Sequence, residues 1–295
     1  MKLKKILPLV LLTNTAAILV GCGQTPVAPT GAARTQEQLP TIMANGKEYT
    51  LGFDETRYKA VAKKTKVTKL PKQSLLPTKI DNTETASAVG DQGKIGACTA
   101  FAVGKGFREF ELKRRGERIV SLSPLFLYYE SRRRWGSTDR DSGSTITDSV
   151  AALEQVGIAT EETFPYDITK FMIQPPAAAY ESAKEFKYSG AIRISGLDDT
   201  QAALAKGHAV MFAYDVMESF RSIGKDGVMP VPKPGEKRLG GHAVMAVGYD
   251  SQKQLVKVRN SWGAGWADKG YFYMPYSVYK TTARDIWTAD YRAEQ

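Results

Sequence analysis

The sequence contains very little cysteine and histidine. Its 295 residues include two cysteines, Cys22 and Cys98, and two histidines, His208 and His242. Two thiols can form one disulfide at most, and none if either has another use, so a disulfide-stapled scaffold is excluded. Hydrophobic residues make up 42% of the chain, which is enough for core packing alone to hold a full-sized fold.

The sequence also lacks an apolar run long enough to span a membrane, and its N-terminal apolar segment is no exception. Three lysines begin the chain, residues 6–20 are mainly apolar, and Leu19-Val20-Gly21-Cys22 closes the segment. This run is too short for a membrane-spanning helix and is typical of a secretory signal over residues 1–21. Its end resembles the lipobox of bacterial lipoproteins, in which the cysteine is acylated. The alternative is a plain signal peptide with an incidental Cys22.

The lipobox resemblance implies a location at the bacterial cell envelope, with the membrane reached through lipid on Cys22. Gly23 is not the aspartate that retains such proteins in the inner membrane, so an outer membrane is favoured where the cell has one. Residues 22–40 are rich in Gly, Gln, Thr, Pro and Ala, which predicts a flexible tether. Cys98 would then be the only thiol left, and a lone thiol in an oxidising compartment favours a catalytic use.

Acidic residues are fewer than basic ones, by 31 to 41, so the formal net charge is +10. Loss of a leader with three lysines and no acid would leave about +7. Such a charge favours anionic partners, namely phospholipid headgroups, acidic cell-wall polymers or acidic substrates. No nucleic acid partner is expected, since the chain lacks a recognition motif and is exported. Residues 41–75 form a basic arm with eight Lys or Arg and three acids.

Cys98 lies where a glycine-broken loop changes to a helical pattern that runs to Gly116. A thiol in the first helical turn is close to unpaired backbone N–H groups and to the positive end of the helix dipole, which both favour the thiolate. Gln92 lies six residues upstream, where its amide and the backbone N–H of Cys98 could hold an oxyanion. The alternative is a small buried core cysteine and an ordinary loop glutamine.

His242 and Asn260 lie on two neighbouring predicted strands. His242 begins an apolar strand, and residues 255–259 form a second strand that ends at Asn260. A histidine oriented by an amide can act as the base that activates a thiol, which predicts a Cys98–His242–Asn260 site. His208 stands in the same pentapeptide, Gly-His-Ala-Val-Met, but no asparagine block follows it. We interpret it as structural, with a role as the base as the alternative.

These motifs occur together in a known family. The matching pieces are Asp91-Gln92-Gly93 through Cys98 and Phe101, Gly241-His242-Ala243-Val244, Asn260-Ser261-Trp262-Gly263-Ala264-Gly265-Trp266 and Gly270-Tyr271-Phe272. Their order resembles that of the papain-like cysteine peptidases, bacterial members above all, and the similarity spans about Leu76 to Tyr291. Cys98 precedes His242 by 144 residues and Asn260 by 162, against about 130–150 in the family.

The resemblance implies an α+β fold of two lobes, one helical and one an antiparallel β-barrel-like lobe, with the active site in the cleft between them. Residues 76–295 would form this peptidase domain. It implies a thiol endopeptidase or exopeptidase that acts on peptides or proteins through a thioester, with no metal and no cofactor. The arm at 41–75 is then a propeptide that covers the cleft, a basic linker or a surface-packed arm. The oligomeric state stays open.

Further site residues follow from the resemblance alone. In the family, the substrate backbone pairs with a loop that matches Gly143 and Ser144, and a tryptophan that matches Trp262 shields the His–Asn pair. Gly241, directly before the histidine, is assigned to the same substrate-binding cleft, although it replaces the family's aspartate. Ser144 replaces a glycine, and Thr99 replaces the tryptophan that follows the nucleophile. The departures at Thr99 and Gly241 concern substrate preference more than activity, whereas Ser144 concerns access to the backbone of the loop.

Two other functions are compatible with the sequence. An amidase of related fold that cleaves cell-wall peptides would keep Cys98 and His242 in a different cleft. A catalytically silent binding protein is the other, but it would have little reason to keep Gln92, Cys98, His242 and Asn260 together.

Overall fold

The computed structural model describes residues 38–71 and 75–292. The predicted signal peptide, Cys22 and most of the predicted tether lie outside the described residues.

The described part of the arm forms a hairpin and a helix. Strands β1 (Thr41–Ala44) and β2 (Lys47–Thr50) pair antiparallel through an Asn45-Gly46 turn, in which both residues have positive φ, 50° and 73°. Helix α1 (Glu55–Ala62) begins after Asp54, whose carboxylate accepts a hydrogen bond from a first-turn backbone N–H. The described part of the arm is therefore folded, which its basic composition did not predict.

The helical lobe is built around the helix that begins at Cys98. Its helices are α2 (Cys98–Ala100), a π-helix (Phe101–Arg108), α3 (Glu109–Arg114), α4 (Pro124–Arg133), α5 (Ile146–Gln155) and α6 (Ala177–Lys184). The first three are continuous, and Gly116 ends them with φ of 66°, as the sequence predicts. The π-helical middle was not predicted. It contains Gly104, where a Cβ would lie 2.5 Å from Ile158, so the glycine allows close packing.

The second lobe is centred on an antiparallel sheet of seven strands. They are β3 (Lys79–Asp81), β4 (Ala191–Arg193), β5 (Val210–Met217), β6 (Arg238–Asp250), β7 (Leu255–Arg259), β8 (Tyr271–Pro275) and β9 (Arg284–Ala289). The order is β4-β9-β5-β6-β7-β8, and β3 pairs with β6. Helices α7 (Gly196–Ala205) and α8 (Tyr276–Thr282) pack against it, and short 3₁₀-helices occur at Thr83–Thr85, Ile168–Lys170 and Glu218–Ser222.

The two lobes have separate cores on opposite faces of this sheet. Residues of β5 and β6 alternate between the faces, as the period of two in a strand requires. Met211, Ala213, Ala243 and Met245 join the core of the helical lobe, whereas Val210, Phe212, Val244 and Ala246 join the second core. The predicted two-lobed α+β fold is confirmed.

Strands β6 and β7 position two of the predicted site residues. β6 begins at Arg238, four residues before the predicted start, so His242 lies within the strand and opposite Tyr214. β7 pairs Arg259 with Met245 of β6, and the chain leaves the sheet at Asn260. The register of one antiparallel pair therefore brings the side chains of His242 and Asn260 together.

Candidate active site

Cys98, His242 and Asn260 lie where the first turn of α2 meets β6. Nε2 of His242 is 2.8 Å from Oδ1 of Asn260, which also accepts a hydrogen bond from the Ser261 N–H. Since this oxygen accepts, the ring proton belongs on Nε2, and Nδ1 is left as the basic nitrogen. Within the described residues this buried Nδ1 has no hydrogen-bond partner. The backbone N–H of Ala243 points to the Cys98 sulfur, which brings the thiol beside the histidine.

Aromatic rings enclose the His–Asn pair. The Trp262 ring centroid lies 5.2 Å from that of His242, and the indole is almost fully buried. On Trp262 stacks Tyr49 of the arm, with centroids 4.8 Å apart and planes at 12°. The Tyr49 hydroxyl also donates to the Trp262 carbonyl. The tryptophan thus lies where the resemblance implies, and the arm adds a second ring above it.

Burial holds both reacting groups in their neutral forms. Desolvation raises the pKa of the Cys98 thiol to about 11, against the smaller opposing effect of three backbone N–H groups. Desolvation lowers the pKa of His242 to about 4, although the hydrogen bond to Asn260 opposes this. The backbone N–H at the helix start favours the thiolate, as expected, but burial outweighs it in this covered form. The cost of burying a charge exceeds the stabilisation that the first helical turn offers.

Gln92 is held by Ser261, a residue to which the sequence analysis assigned no role. Ser261 Oγ donates to Oε1 of Gln92 at 2.6 Å, and the Gln92 backbone N–H donates to the Ser261 carbonyl. The side-chain Nε2 then donates to the carbonyls of Ile95 and Thr50, at 3.1 and 2.9 Å. The amide thus holds a carbonyl oxygen of the arm. Ser261 directly follows Asn260 in the motif that matches the family, and this position was the signal available in the sequence.

The arm crosses the cleft along the predicted substrate-binding residues. The Phe53 N–H donates to the Gly241 carbonyl, and the arm pairs with Ser144 as a parallel β-bridge, with N···O distances of 2.9 Å on both sides. A Cβ on Gly143 would lie 2.3 Å from the Gly52 carbonyl oxygen, so a side chain there would displace the arm. Ser144 keeps its backbone groups accessible for pairing although it replaces a glycine.

The arm presents an amide nitrogen to the nucleophile. The N–H of Gly52 points to the Cys98 sulfur. The arm carbonyl that accepts from the Gln92 amide belongs to Thr50, two residues earlier. Attack on a peptide needs the sulfur to approach a carbonyl carbon. The arm backbone therefore lies along the site, with an N–H directed at the thiol and the Thr50 carbonyl at the Gln92 amide.

Further contacts anchor both ends of the crossing segment. Arg57 of α1 is buried and donates to the Ser137 hydroxyl, the Ser142 hydroxyl and the Gly143 carbonyl, at 2.6, 3.2 and 3.3 Å. Upstream, the Leu51 N–H donates to the Pro40 carbonyl, so residues 38–40 belong to the packed arm. The predicted tether extended to residue 40, and the boundary between tether and arm stays a prediction.

Asp141 connects the two loops that border the cleft. Both of its carboxylate oxygens accept from the Gly96 N–H, at 3.0 and 3.1 Å, and it also accepts from the Tyr128 hydroxyl. The same hydroxyl accepts from the Gly143 N–H at 3.1 Å. Burial raises the pKa of Asp141 despite these hydrogen bonds. The carboxylate thus ties the loop before Cys98 to the predicted substrate-binding loop, a role that was not predicted from the sequence.

His208 lies in a different environment. Its Nδ1 is 3.3 Å from the Glu111 carboxylate at the end of the long helix, and its ring stacks on Tyr291 with centroids 5.1 Å apart. The residue is buried, and the histidine that contacts Asn260 is His242 instead. Its contacts support the structural interpretation.

Two features are absent from the described ranges, 38–71 and 75–292. No helix in them is long and apolar enough to cross a membrane. No group of His, Cys, Asp or Glu in the same ranges is arranged to hold a metal ion.

Comparison with known proteins gives consistent matches. The sequence model of the papain family of cysteine proteases matches residues 76–286. An uncharacterised peptidase C1-like protein of Acanthamoeba polyphaga mimivirus is 37% identical over 210 residues, covering 67% of this chain and 68% of that protein. Cathepsin K of Gallus gallus is 31% identical over 205 residues, and the match covers 65% of this chain and 56% of the cathepsin.

A solved structure extends the likeness to the fold. Xylellain, a cysteine protease from Xylella fastidiosa, matches with a TM-score of 0.71 at 27% identity, over 87% of this chain and 98% of that structure. The family match covers well over half of the sequence and includes every predicted site residue except Cys22. The chain therefore belongs to the papain family and is a cysteine peptidase.

Proposed function

We propose that the chain hydrolyses peptide bonds with Cys98 as the nucleophile, His242 as general base and acid, and Asn260 as the residue that orients the ring. The observation that carries this proposal is the extended backbone seated on the site. It pairs with Ser144 and Gly241 and extends a carbonyl towards the Gln92 amide, as a bound peptide would.

The chemistry follows from these positions once the arm has left. His242 takes the thiol proton, and the Cys98 thiolate forms a C–S bond with the substrate carbonyl carbon. Gln92 and the Cys98 N–H stabilise the oxyanion. The imidazolium protonates the leaving amine as the C–N bond breaks, which leaves a thioester. Water, deprotonated by His242, then hydrolyses the thioester and restores the thiol.

We further propose that the arm, residues 41–75, restrains this activity. Two observations support the restraint: Cys98 and His242 are fully buried beneath the arm, and their pKa values favour the neutral pair. Catalysis would then require the arm to be displaced or removed. Displacement restores water around both groups, which lowers the thiol pKa and raises the imidazole pKa towards their ordinary values.

The location at the bacterial envelope is also a proposal. It rests on the leader and on Cys22, and the net positive charge suits an anionic membrane or wall. Substitution of Cys22 by serine should abolish incorporation of labelled fatty acid and release the protein from the membrane fraction. Retention of the lipid in Cys22→Ser would contradict the lipobox assignment.

The function is tested with fluorogenic peptides, alongside Cys98→Ala and Gln92→Ala. The parent chain should cleave peptides slowly and Cys98→Ala not at all. Gln92→Ala should lose roughly 100- to 1000-fold in kcat if its amide stabilises the oxyanion. Cleavage of muropeptides with no cleavage of any peptide would favour the amidase. No turnover in any form, with Cys98 unreactive towards a thiol-directed epoxide, would favour the silent binding protein.

A further inference from the structure

Two arginines lie beside the segment of the arm that crosses the cleft. Arg284 of β9 and Arg238 of β6 both contact Asp215 of β5, with Nη2 of Arg284 at 2.5 Å from Oδ1. Glu55, the first residue of α1, completes the cluster. Its Oε2 lies 2.7 Å from Arg284 and 3.7 Å from Arg238.

The charges of this cluster balance only while the arm is in place. With the arm present, two guanidinium groups face two carboxylates. Without Glu55, Asp215 remains as the one carboxylate contacting both arginines in the described structure, and one positive charge is uncompensated. The Arg284 side chain is 15% exposed even beneath the arm, so solvent screens its charge less than that of a surface lysine.

The cluster borders the peptide-binding backbone. The Arg284 guanidinium carbon lies 5.5 Å from the ring centroid of Phe53, whose N–H is bonded to Gly241. Phe53 is buried in the core cluster of the helical lobe, which also contains Ala213, Ala243 and Cys98. A peptide in the cleft would therefore place one side chain in the Phe53 position and a nearby side chain within reach of Arg284.

We propose that Arg284 and Arg238 form a carboxylate-binding subsite, which selects peptide substrates with an Asp or Glu side chain near an aromatic or apolar residue. Glu55 of the arm occupies this subsite in the covered form. The inference rests on the proposed function, because it concerns substrates of the same cleft. Arg238 is 44% exposed and accessible from solvent, whereas Asp215 holds both guanidinium groups in place.

A simpler interpretation is that the two arginines only latch the arm. The interpretations differ in the opened enzyme, so the test uses the full chain with Gly52→Leu. A Cβ on Gly52 would lie 2.1 Å from the Gly96 carbonyl oxygen, so a leucine cannot occupy the covered position. Labelling of Cys98 by a thiol-directed epoxide is measured first. It reports that the nucleophile is reactive, whatever the substrate preference.

Two matched peptides then carry an aromatic residue in the preferred position and either Glu or Gln nearby, with the spacing scanned over three positions. We expect kcat/KM for the best Glu peptide to exceed that of its Gln counterpart by about fivefold, and the ratio to fall at high salt. Arg238→Gln should reduce the ratio, and Arg238→Glu should shift the preference to a Lys peptide. Arg118→Gln, which removes an exposed charge paired with Glu185, should leave the ratio unchanged.

Equal rates for the Glu and Gln peptides at every spacing, with Cys98 labelled, would overturn the subsite and leave the arginines as a latch. A Glu preference that Arg238→Glu does not alter would also overturn it. Failure of epoxide labelling and of all peptide cleavage would instead contradict the proposed function.

Discussion

The side-chain amide of Gln92 donates a 2.9 Å hydrogen bond to the backbone carbonyl of Thr50, 42 residues earlier in the chain. Ser261 fixes the orientation of that amide through its Oε1. The donor proposed to stabilise an oxyanion is thus engaged by the arm of the same chain. The arm therefore occupies the nucleophile's neighbourhood, the oxyanion donor and the substrate-binding backbone at once.

Gly52→Leu should open the cleft, because its side chain would collide with the Gly96 carbonyl. We expect faster epoxide labelling of Cys98 and faster peptide cleavage than in the parent, by roughly tenfold or more, as the arm must leave its site. Gly224→Leu is the matched control, since Gly224 is exposed and a Cβ there meets nothing closer than 3.5 Å. Unchanged labelling in Gly52→Leu would mean that the arm does not limit access to the thiol.

Arg57→Met should weaken the arm at its second anchor. The substitution removes the hydrogen bonds that Arg57 donates to Ser137, Ser142 and the Gly143 carbonyl. Each hydrogen bond from a charged donor contributes at most about 1.5–3 kcal/mol to stability. We expect epoxide labelling to accelerate roughly tenfold to a hundredfold, with a lower Tm. Lys63→Met removes the same charge from an exposed position at the end of α1 and should change neither quantity. Equal effects of both substitutions would show that the change in net charge, and not the loss of the Arg57 anchor, causes the acceleration.

Mild acid should favour displacement of the arm. An accessible histidine takes a proton below about pH 6.5, whereas covered His242 takes one only near pH 4. The stability of the covered form is therefore fully present above pH 6.5 and is lost as the pH falls towards 4, by up to about tenfold in the equilibrium per pH unit. Cys98 acts in the opposite direction, and its raised pKa weakens the covered form as the pH rises from about 9 to about 11.

This pH dependence is measured as the epoxide labelling rate of the parent divided by that of Gly52→Leu at each pH. The division removes the intrinsic pH dependence of the thiol reaction. The ratio should be lowest between about pH 6.5 and 9 and should rise on both sides. A ratio that stays constant from pH 7 to pH 4 would show that protonation of His242 is not coupled to the arm.

Asp141→Asn should impair catalysis without removing a group that touches the substrate. The carboxylate holds the Gly96 N–H, two residues before the nucleophile, through both oxygens. In the Gly52→Leu background we expect kcat to fall by about tenfold with a smaller change in KM, because a small misplacement of the nucleophile slows the chemical step. Asp139→Asn is the control, since Asp139 is largely exposed and pairs only with its neighbour Arg140. A rise in KM alone would assign Asp141 to substrate binding instead.

Local sequence patterns determined much of the secondary structure that carries the candidate active site. The helix from Cys98 to Gly116 follows from helical spacing and a C-terminal glycine, both of which act within a few residues. The strand pair that carries His242 and Asn260 follows from short apolar runs. The family resemblance added Gly143, Ser144 and Trp262, which the structure places around the same cleft. These predictions needed only neighbouring residues or motifs in a fixed order.

Tertiary structure alone decided what covers the site and how its groups are charged. The basic composition of residues 41–75 could not distinguish a linker from an arm in the cleft, because the contacts of Gly52 and Phe53 are with residues distant in the sequence. Cys98 and His242 are neutral because those contacts exclude water from both side chains. The charge cluster of Glu55, Asp215, Arg238 and Arg284 likewise comes from four separate elements. The register of the sheet brings the last three together on neighbouring strands, and the arm adds Glu55. Local propensity acts over a few residues, whereas desolvation and charge pairing depend on distance in space.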